Sequence, residues 1–363
     1  MNNFNIQQNI PLAQHTTLGI GGMAEYFVEV KTESELMEAL TWAGNQNLAV
    51  TVLGGGSNVL IADEGVSGVV IKMSCGGIFF KEDDDGVSIL ASVSAGESWD
   101  RFVEATAERA LWGLENLSGI PGRVGAAPVQ NINAYGVSVG DVIERVHAIN
   151  ISTREKVIFT KEECKFAYRD SFFKTEKGRE YIITSVQFRL TSQNDIHTTY
   201  KSSSQSIEQY FLKNKITSPN SEDVRRAVLF VRKNIGMLDG IYKSAGSFFK
   251  NIVLGFEEFK ELQKIIANEY QDKSEIFAPW HWILADGTVK VSTAFLMECT
   301  EYNKAYGTKS KNGVVGISPL HTLSIINYGN ARSRDVKIFS DNICDVIQKK
   351  FGVEIEKEVC YLE

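Results

Sequence analysis

The chain has 363 residues, 43% apolar and 23% charged with 6 prolines, the composition of an ordinary globular protein of two or three domains, long enough to bury a core. Its 38 basic and 45 acidic side chains leave a formal charge of -7 with no dense Lys/Arg tract, so no nucleic-acid partner is expected.

After a polar arm, a β-rich run at 26–30 leads to Thr32 and Glu35, a capping box ahead of Leu36, Met37, Leu40 and Ala43 at helical spacing. The apolar run 48–53 predicts a strand that stops at Gly54, Gly55, Gly56, Ser57 and Asn58, and β character returns at 59–61 and 69–73. This reads as a small α/β unit. From Cys75 the pattern changes to short β runs at 77–80 and 87–93, joined by an acidic tip at 82–86, and then a helix at 98–109. The tip reads as a solvated hairpin turn, because its aspartates lack the interleaved spacing of a calcium loop.

Residues 113–140 hold six glycines and two prolines, so they turn repeatedly or wrap a ligand. Strands follow at 143–151, 156–160 and 181–190, then helices at 221–235, 256–270 and 333–351, the last ended by Gly352, with β runs at 313–317 and 323–326. The class is α+β. No apolar run reaches bilayer length and the first 20 residues carry no basic or apolar leader, so a cytoplasmic protein without a membrane partner is expected. Cys75, Cys164, Cys299, Cys344 and Cys360 form no CxxC, and the histidines form no HxH or HExxH; reduced thiols and no metal are expected.

Behind a strand, the glycines of 54–58 let backbone N–H groups converge on an anion. No Lys-Ser/Thr pair follows and no GxGxxG precedes a long helix, and alone the loop reads as a Gly-rich hairpin. A second loop, Ser118 to Gly125, is followed by Gln130, Asn131 and Asn133 with their amides. Two such cradles suit a dinucleotide, with its two phosphates and two ring systems. Arg169, Ser247 and Glu358 are candidates for catalysis, although by residue type alone an ion pair, a cap and a solvated charge account for them. Ser247 lacks the G-x-S-x-G setting of a hydrolase nucleophile.

In order and spacing, several segments together resemble the UDP-N-acetylenolpyruvoylglucosamine reductase family, in its longer subtype. They are Thr17-Leu18-Gly19-Ile20-Gly21-Gly22, Leu53 to Leu60, Gly113-Leu114-Glu115-Asn116-Leu117 with Ile120-Pro121-Gly122, Gln130-Asn131 with Ala134-Tyr135-Gly136, Tyr168-Arg169-Asp170-Ser171, Gly246-Ser247-Phe248-Phe249-Lys250-Asn251, and 356–359. The resemblance runs nearly end to end. It implies an FAD-binding unit of the vanillyl-alcohol-oxidase type, made of two α/β subdomains at 1–74 and 75–200, and a substrate domain at 201–355, with the C-terminal tail completing the first subdomain.

The same resemblance implies FAD and NADPH as cofactors and a small nucleotide-sugar substrate for a monomeric enzyme. It places FAD on Gly54, Gly55, Gly56, Ser57, Asn58, Ile120, Pro121, Gly122, Gly125, Ala126, Ala127 and Asn131, and substrate on Tyr135, Tyr200 and Asn251. Reducing the enolpyruvyl ether to UDP-N-acetylmuramate would then draw on Arg169 for charge, Glu358 for a hydrogen bond to the carboxylate and Ser247 as proton donor. Ile235, Cys360, Ala126, Ala127 and Asn133 depart from the family pattern, which leaves room for a related enolpyruvyl or nucleotide-sugar substrate, or for a flavin or nucleotide-sugar binder without turnover.

Overall fold

A computed structural model describes residues 5–193, 206–238, 240–307 and 313–363, so Tyr200 lies outside the described residues. The first unit contains β1 (Gln7–Pro11), β2 (Met23–Val30), α1 (Glu33–Asn45), β3 (Val50–Leu53), β4 (Val59–Ile61) and β5 (Val66–Met73). Its sheet has the order β1-β2-β5-β3, antiparallel at β1 and parallel elsewhere. Thr32 Oγ1 accepts the Glu35 N–H at 3.2 Å, while the Glu35 carboxylate takes the Lys31 N–H at 2.6 Å. Only the Thr32 half of the expected capping box is therefore present, with the return bond displaced by one residue. Leu36, Ala39, Leu40 and Ala43 form the buried stripe of α1.

The second unit contains β6 (Ile78–Glu82), β7 (Ser88–Ser94), α2 (Trp99–Ala107), the two-residue strands β8 (Asn133–Ala134) and β9 (Val137–Ser138), β10 (Ile143–Asn150), β11 (Lys156–Thr160) and β12 (Tyr181–Thr191). Five of these strands form an antiparallel sheet, β11-β10-β12-β7-β6. Its acidic tip is a hairpin turn: Asp85 accepts the N–H groups of Val87 and Ser88, and Asp83 pairs with Arg189. Residues 113–140 turn repeatedly, through short 3-10 segments at Glu115–Leu117, Val124–Ala126 and Val139–Asp141 and the β8-β9 hairpin. Both sheets share one core in which Val28, Leu40 and Ile71 join Val93, Phe102 and Val186.

Next come α3 (Ile207–Asn214) and α4 (Ser221–Asn234), whose apolar residues Ile207, Phe211, Val224 and Val228 cluster with Trp112. The Arg225 guanidinium on α4 binds both oxygens of Asp100 on α2, at 2.5 and 3.0 Å. These helices fall in the segment expected as 201–355, yet their buried face lies on the second unit.

The last segment contains β13 (Ser244–Ser247), β14 (Ile252–Leu254), α5 (Phe256–Glu269), α6 (Gln271–Ile276), β15 (His281–Ile283), β16 (Val289–Val291), α7 (Thr293–Glu298), β17 (Val315–Ile317), β18 (Ser324–Asn327), α8 (Ser333–Phe351) and β19 (Cys360–Leu362). Two antiparallel sheets, β13-β18-β17 and β14-β16-β15, enclose Phe248, Phe249, Leu262, Phe295 and Ile343. Gly352 ends α8 in left-handed backbone, φ 70°. The tail then returns to the first unit, where β19 runs parallel to β4 with Cys360 opposite Val59.

Candidate active site

The two glycine loops lie against each other. A β-carbon on Gly55 would stand 2.8 Å from Gly122 Cα, closer than real contacts allow, so the approach requires glycine. Gly125 is equally constrained, with an added β-carbon 2.6 Å from Ala95 Cβ. Ser57 Oγ donates to Pro121 O at 3.1 Å and fastens one loop to the other. Beside this junction a cleft of about 160 Å3 runs between the two sheets, bounded by Val52, Gly54, Met73, Arg123, Ala126 and Ile183. Apolar walls for a ring, glycine backbone and the Arg123 cation have the chemistry to meet part of a dinucleotide such as FAD. Arg123 sits inside the loop quoted above but carried no assigned role there.

Arg169, Ser247 and Glu358 do not line that cleft; Arg169 and Glu358 meet at the end of the tail, and Ser247 is next in the chain to Phe248, which bonds the Glu358 backbone. Arg169 occupies the turn Ala167–Asp170 with φ 52°, and its Nε stands 3.0 Å from Glu358 Oε1. The two side chains are 17% and 8% exposed. The Nε faces Glu358 as an ion pair, while Nη1 donates to Asn133 O at 3.3 Å. Glu358 reaches this place because its N–H donates to Phe248 O at 2.8 Å and the Lys250 N–H donates to Glu356 O at 2.9 Å. Ser247, at the end of β13 opposite Ser324, directly precedes Phe248. Burial pushes the Glu358 carboxyl above the usual carboxylate range, against the opposing pull of Arg169, Lys250 and Lys174.

Other expected site residues mostly brace the protein. Asn58 Nδ2 donates to Gln130 Oε1 at 2.7 Å and to Glu358 O at 3.3 Å. Asn131 Nδ2 donates to Ala167 O and its Oδ1 accepts the Gly140 N–H. Tyr135 has φ 50°, accepts Asn116 Nδ2 at its carbonyl, and hydrogen-bonds through its side chain to the buried Arg232. Asn251 Oδ1 accepts the Thr293 N–H at the start of α7. Ile120 is half-buried beside the shared core, Ala127 is buried within it, and Gly56 is in left-handed backbone against His15 O.

Lys290 went unnoticed in the sequence, where a lone lysine on a three-residue strand carries no signal. Its Nζ lies 5.7 Å from the Tyr168 ring and 5.2 Å from the Trp282 ring. Burial, and secondarily Arg169, lower its proton affinity. Glu358 with its raised proton affinity, the arginine paired with it and Lys290 lie together in one partly dry place, an arrangement that can stabilise negative charge.

Residues 24–155 match a family described as FAD binding domain, and residues 239–362 match one described as UDP-N-acetylenolpyruvoylglucosamine reductase, C-terminal domain. The UDP-N-acetylenolpyruvoylglucosamine reductase of Thermobifida fusca is 36% identical over 361 residues, covering 97% of this chain and 96% of the relative. The one from Bdellovibrio bacteriovorus is 36% identical, covering 97% and 98%. The crystal structure of UDP-N-acetylenolpyruvylglucosamine reductase from Thermus caldophilus superimposes with a TM-score of 0.63 at 24% identity over 99% of each chain, a likeness of fold.

Proposed function

Because the chain belongs to the UDP-N-acetylenolpyruvoylglucosamine reductase family, we propose that Arg169, Glu358 and Ser247 carry its reduction of UDP-N-acetylglucosamine enolpyruvate to UDP-N-acetylmuramate, with FAD and NADPH. The observation that supports this reading most is the Arg169 guanidinium held 3.0 Å from Glu358, a carboxyl whose burial favours its protonated form. Bound FAD supplies hydride chemistry, drawing its electrons from NADPH.

The chain's own residues do the rest. The backbone of Gly54, Gly55, Gly56, Gly122, Gly125 and Ala126 holds the pyrophosphate. An enolpyruvyl ether is a vinyl group conjugated to a carboxylate, and hydride addition at its terminal carbon leaves negative charge on the adjacent carbon and the carboxylate. Arg169 stabilises that charge and Glu358, protonated, hydrogen-bonds it. Ser247 Oγ then gives its proton to the adjacent carbon, completing the saturated lactyl ether. Tyr135, Asn251 and Tyr200 complete the substrate wall in this reading. The chain divides into FAD-binding subdomains over 1–74 and 75–200 and a substrate domain ending near 355, with α3 and α4 riding on the second subdomain.

The reaction belongs in the cytoplasm with its water-borne substrates, in a monomer, and feeds cell-wall growth and through it cell shape and division. No helix among the described residues is long and apolar enough to cross a membrane. Anaerobic mixing tests the reading: NADPH should bleach the flavin of the purified protein and the enolpyruvyl nucleotide should restore its colour. A Ser247→Ala variant should bleach normally and recolour about 100- to 10,000-fold more slowly. Failure of the unaltered protein to recolour would reject the reaction, and equal loss of both steps in the variant would make Ser247 structural.

A further inference from the structure

How Arg169 is held carries an inference that rests on the reductase reading above. Its turn is closed by reciprocal backbone bonds between Ala167 and Asp170, at 3.0 and 3.2 Å, and left-handed φ at an arginine persists only where the surroundings impose it. Three side chains fasten this turn. Ser171 Oγ donates to Val129 O at 2.6 Å, Lys174 Nζ donates to Arg169 O at 3.0 Å, and Asn131 Nδ2 donates to Ala167 O at 3.0 Å.

Asn131 differs from the other two by lying in a stretch that is also tied to the Glu358 backbone. It is 6% exposed, and its Oδ1 accepts the Gly140 N–H at 2.8 Å, so both ends of the carboxamide serve the protein. Its neighbour Gln130 accepts from Asn58 Nδ2, which also donates to the carbonyl of Glu358. Two residues later, Asn133 O accepts from Arg169 Nη1 at 3.3 Å. One stretch, 130–133, therefore grips the Arg169 turn on one side and, through Asn58, the Glu358 backbone on the other. We propose that Asn131 is a positioning residue: its side chain sets the Arg169 guanidinium against Glu358 and the substrate carboxylate rather than holding the cofactor.

Asn131 has φ 47°, and Asn131→Asp keeps the shape, the tolerance of left-handed backbone and the acceptor for Gly140, but sets an acceptor oxygen, charged when ionised, against Ala167 O where the amide had donated. The variant should retain its flavin and its rate of bleaching by NADPH, while recolouring by the enolpyruvyl nucleotide slows about 100-fold. Isothermal titration of the oxidised holoprotein should show weaker binding of UDP-N-acetylmuramate. In an Arg169→Ala background the same substitution should add nothing further, because Asn131 acts through Arg169. Asn131→Gly, which also accepts left-handed backbone, serves if the aspartate variant does not fold.

Undiminished recolouring and product affinity in the variant overturn the inference alone. Lost flavin or equally slowed bleaching returns Asn131 to the cofactor cradle. Absence of recolouring in the unaltered protein overturns the inference together with the reaction assigned above.

Discussion

The behaviour of Glu358 follows from one competition. Desolvation disfavours its ionised form and the cations of Arg169, Lys250 and Lys174 favour it, and desolvation wins. The carboxyl therefore stays neutral to higher pH than an ordinary glutamate and can donate a hydrogen bond. Recolouring of the reduced protein should slow as pH rises through that raised value. Glu358→Gln, which cannot ionise, should lose this alkaline limb in stopped-flow measurements across pH; a limb that survives belongs to another group. The folded state binds this proton more tightly than the unfolded chain, so the group's contribution to stability is full at acid pH and is lost as pH rises through the folded value.

Among the loops, the contact of Gly55 with Gly122 separates a packing demand from a conformational one. Adding a methyl group at Gly55 forces it to within 2.8 Å of backbone, which a side-chain rotation cannot relieve. Gly55→Ala should cost about 1–3 kcal/mol and part the two loops, so that the purified protein loses flavin absorbance relative to total protein. Gly86 at the acidic tip is the control: it has φ 67° with nothing within 4 Å, and Gly86→Ala should cost about 1 kcal/mol through strain alone and keep its flavin. Full flavin in Gly55→Ala would mean that the loop junction does not shape the cofactor site.

Over the whole molecule, the end of the chain closes on its beginning. Leu18, Ile20 and Leu60 are built into the C-terminal core, and β19 pairs with β4, the strand that follows the first glycine loop. Glu358 sits two residues before β19, so the carboxyl is delivered by that closure. The two sheets of the N-terminal units share a core as well. Thermal unfolding followed by circular dichroism and by flavin fluorescence should therefore give one coincident transition. An early flavin release with the C-terminal helices intact would show that the parts unfold independently.

Periodicity and turn chemistry made α1, α2, α4, α5, α8 and the long strands readable from the sequence, because each repeats its apolar spacing over enough residues to be recognised locally. The glycine loops were readable for a similar reason, since backbone crowding demands a residue type. Arg169, Ser247 and Glu358 were legible only through motif order, as their types alone fit ordinary surface roles. Tertiary structure alone decided that Arg169 and Glu358, far apart in the chain, stand 3.0 Å apart; that β13 to β16 and β19 exist, being too short to show a period; that α3 and α4 lie on the second unit; and that the amide of Asn131 is consumed inside the protein. These outcomes depend on which distant surfaces bury one another, and local spacing holds no record of that choice.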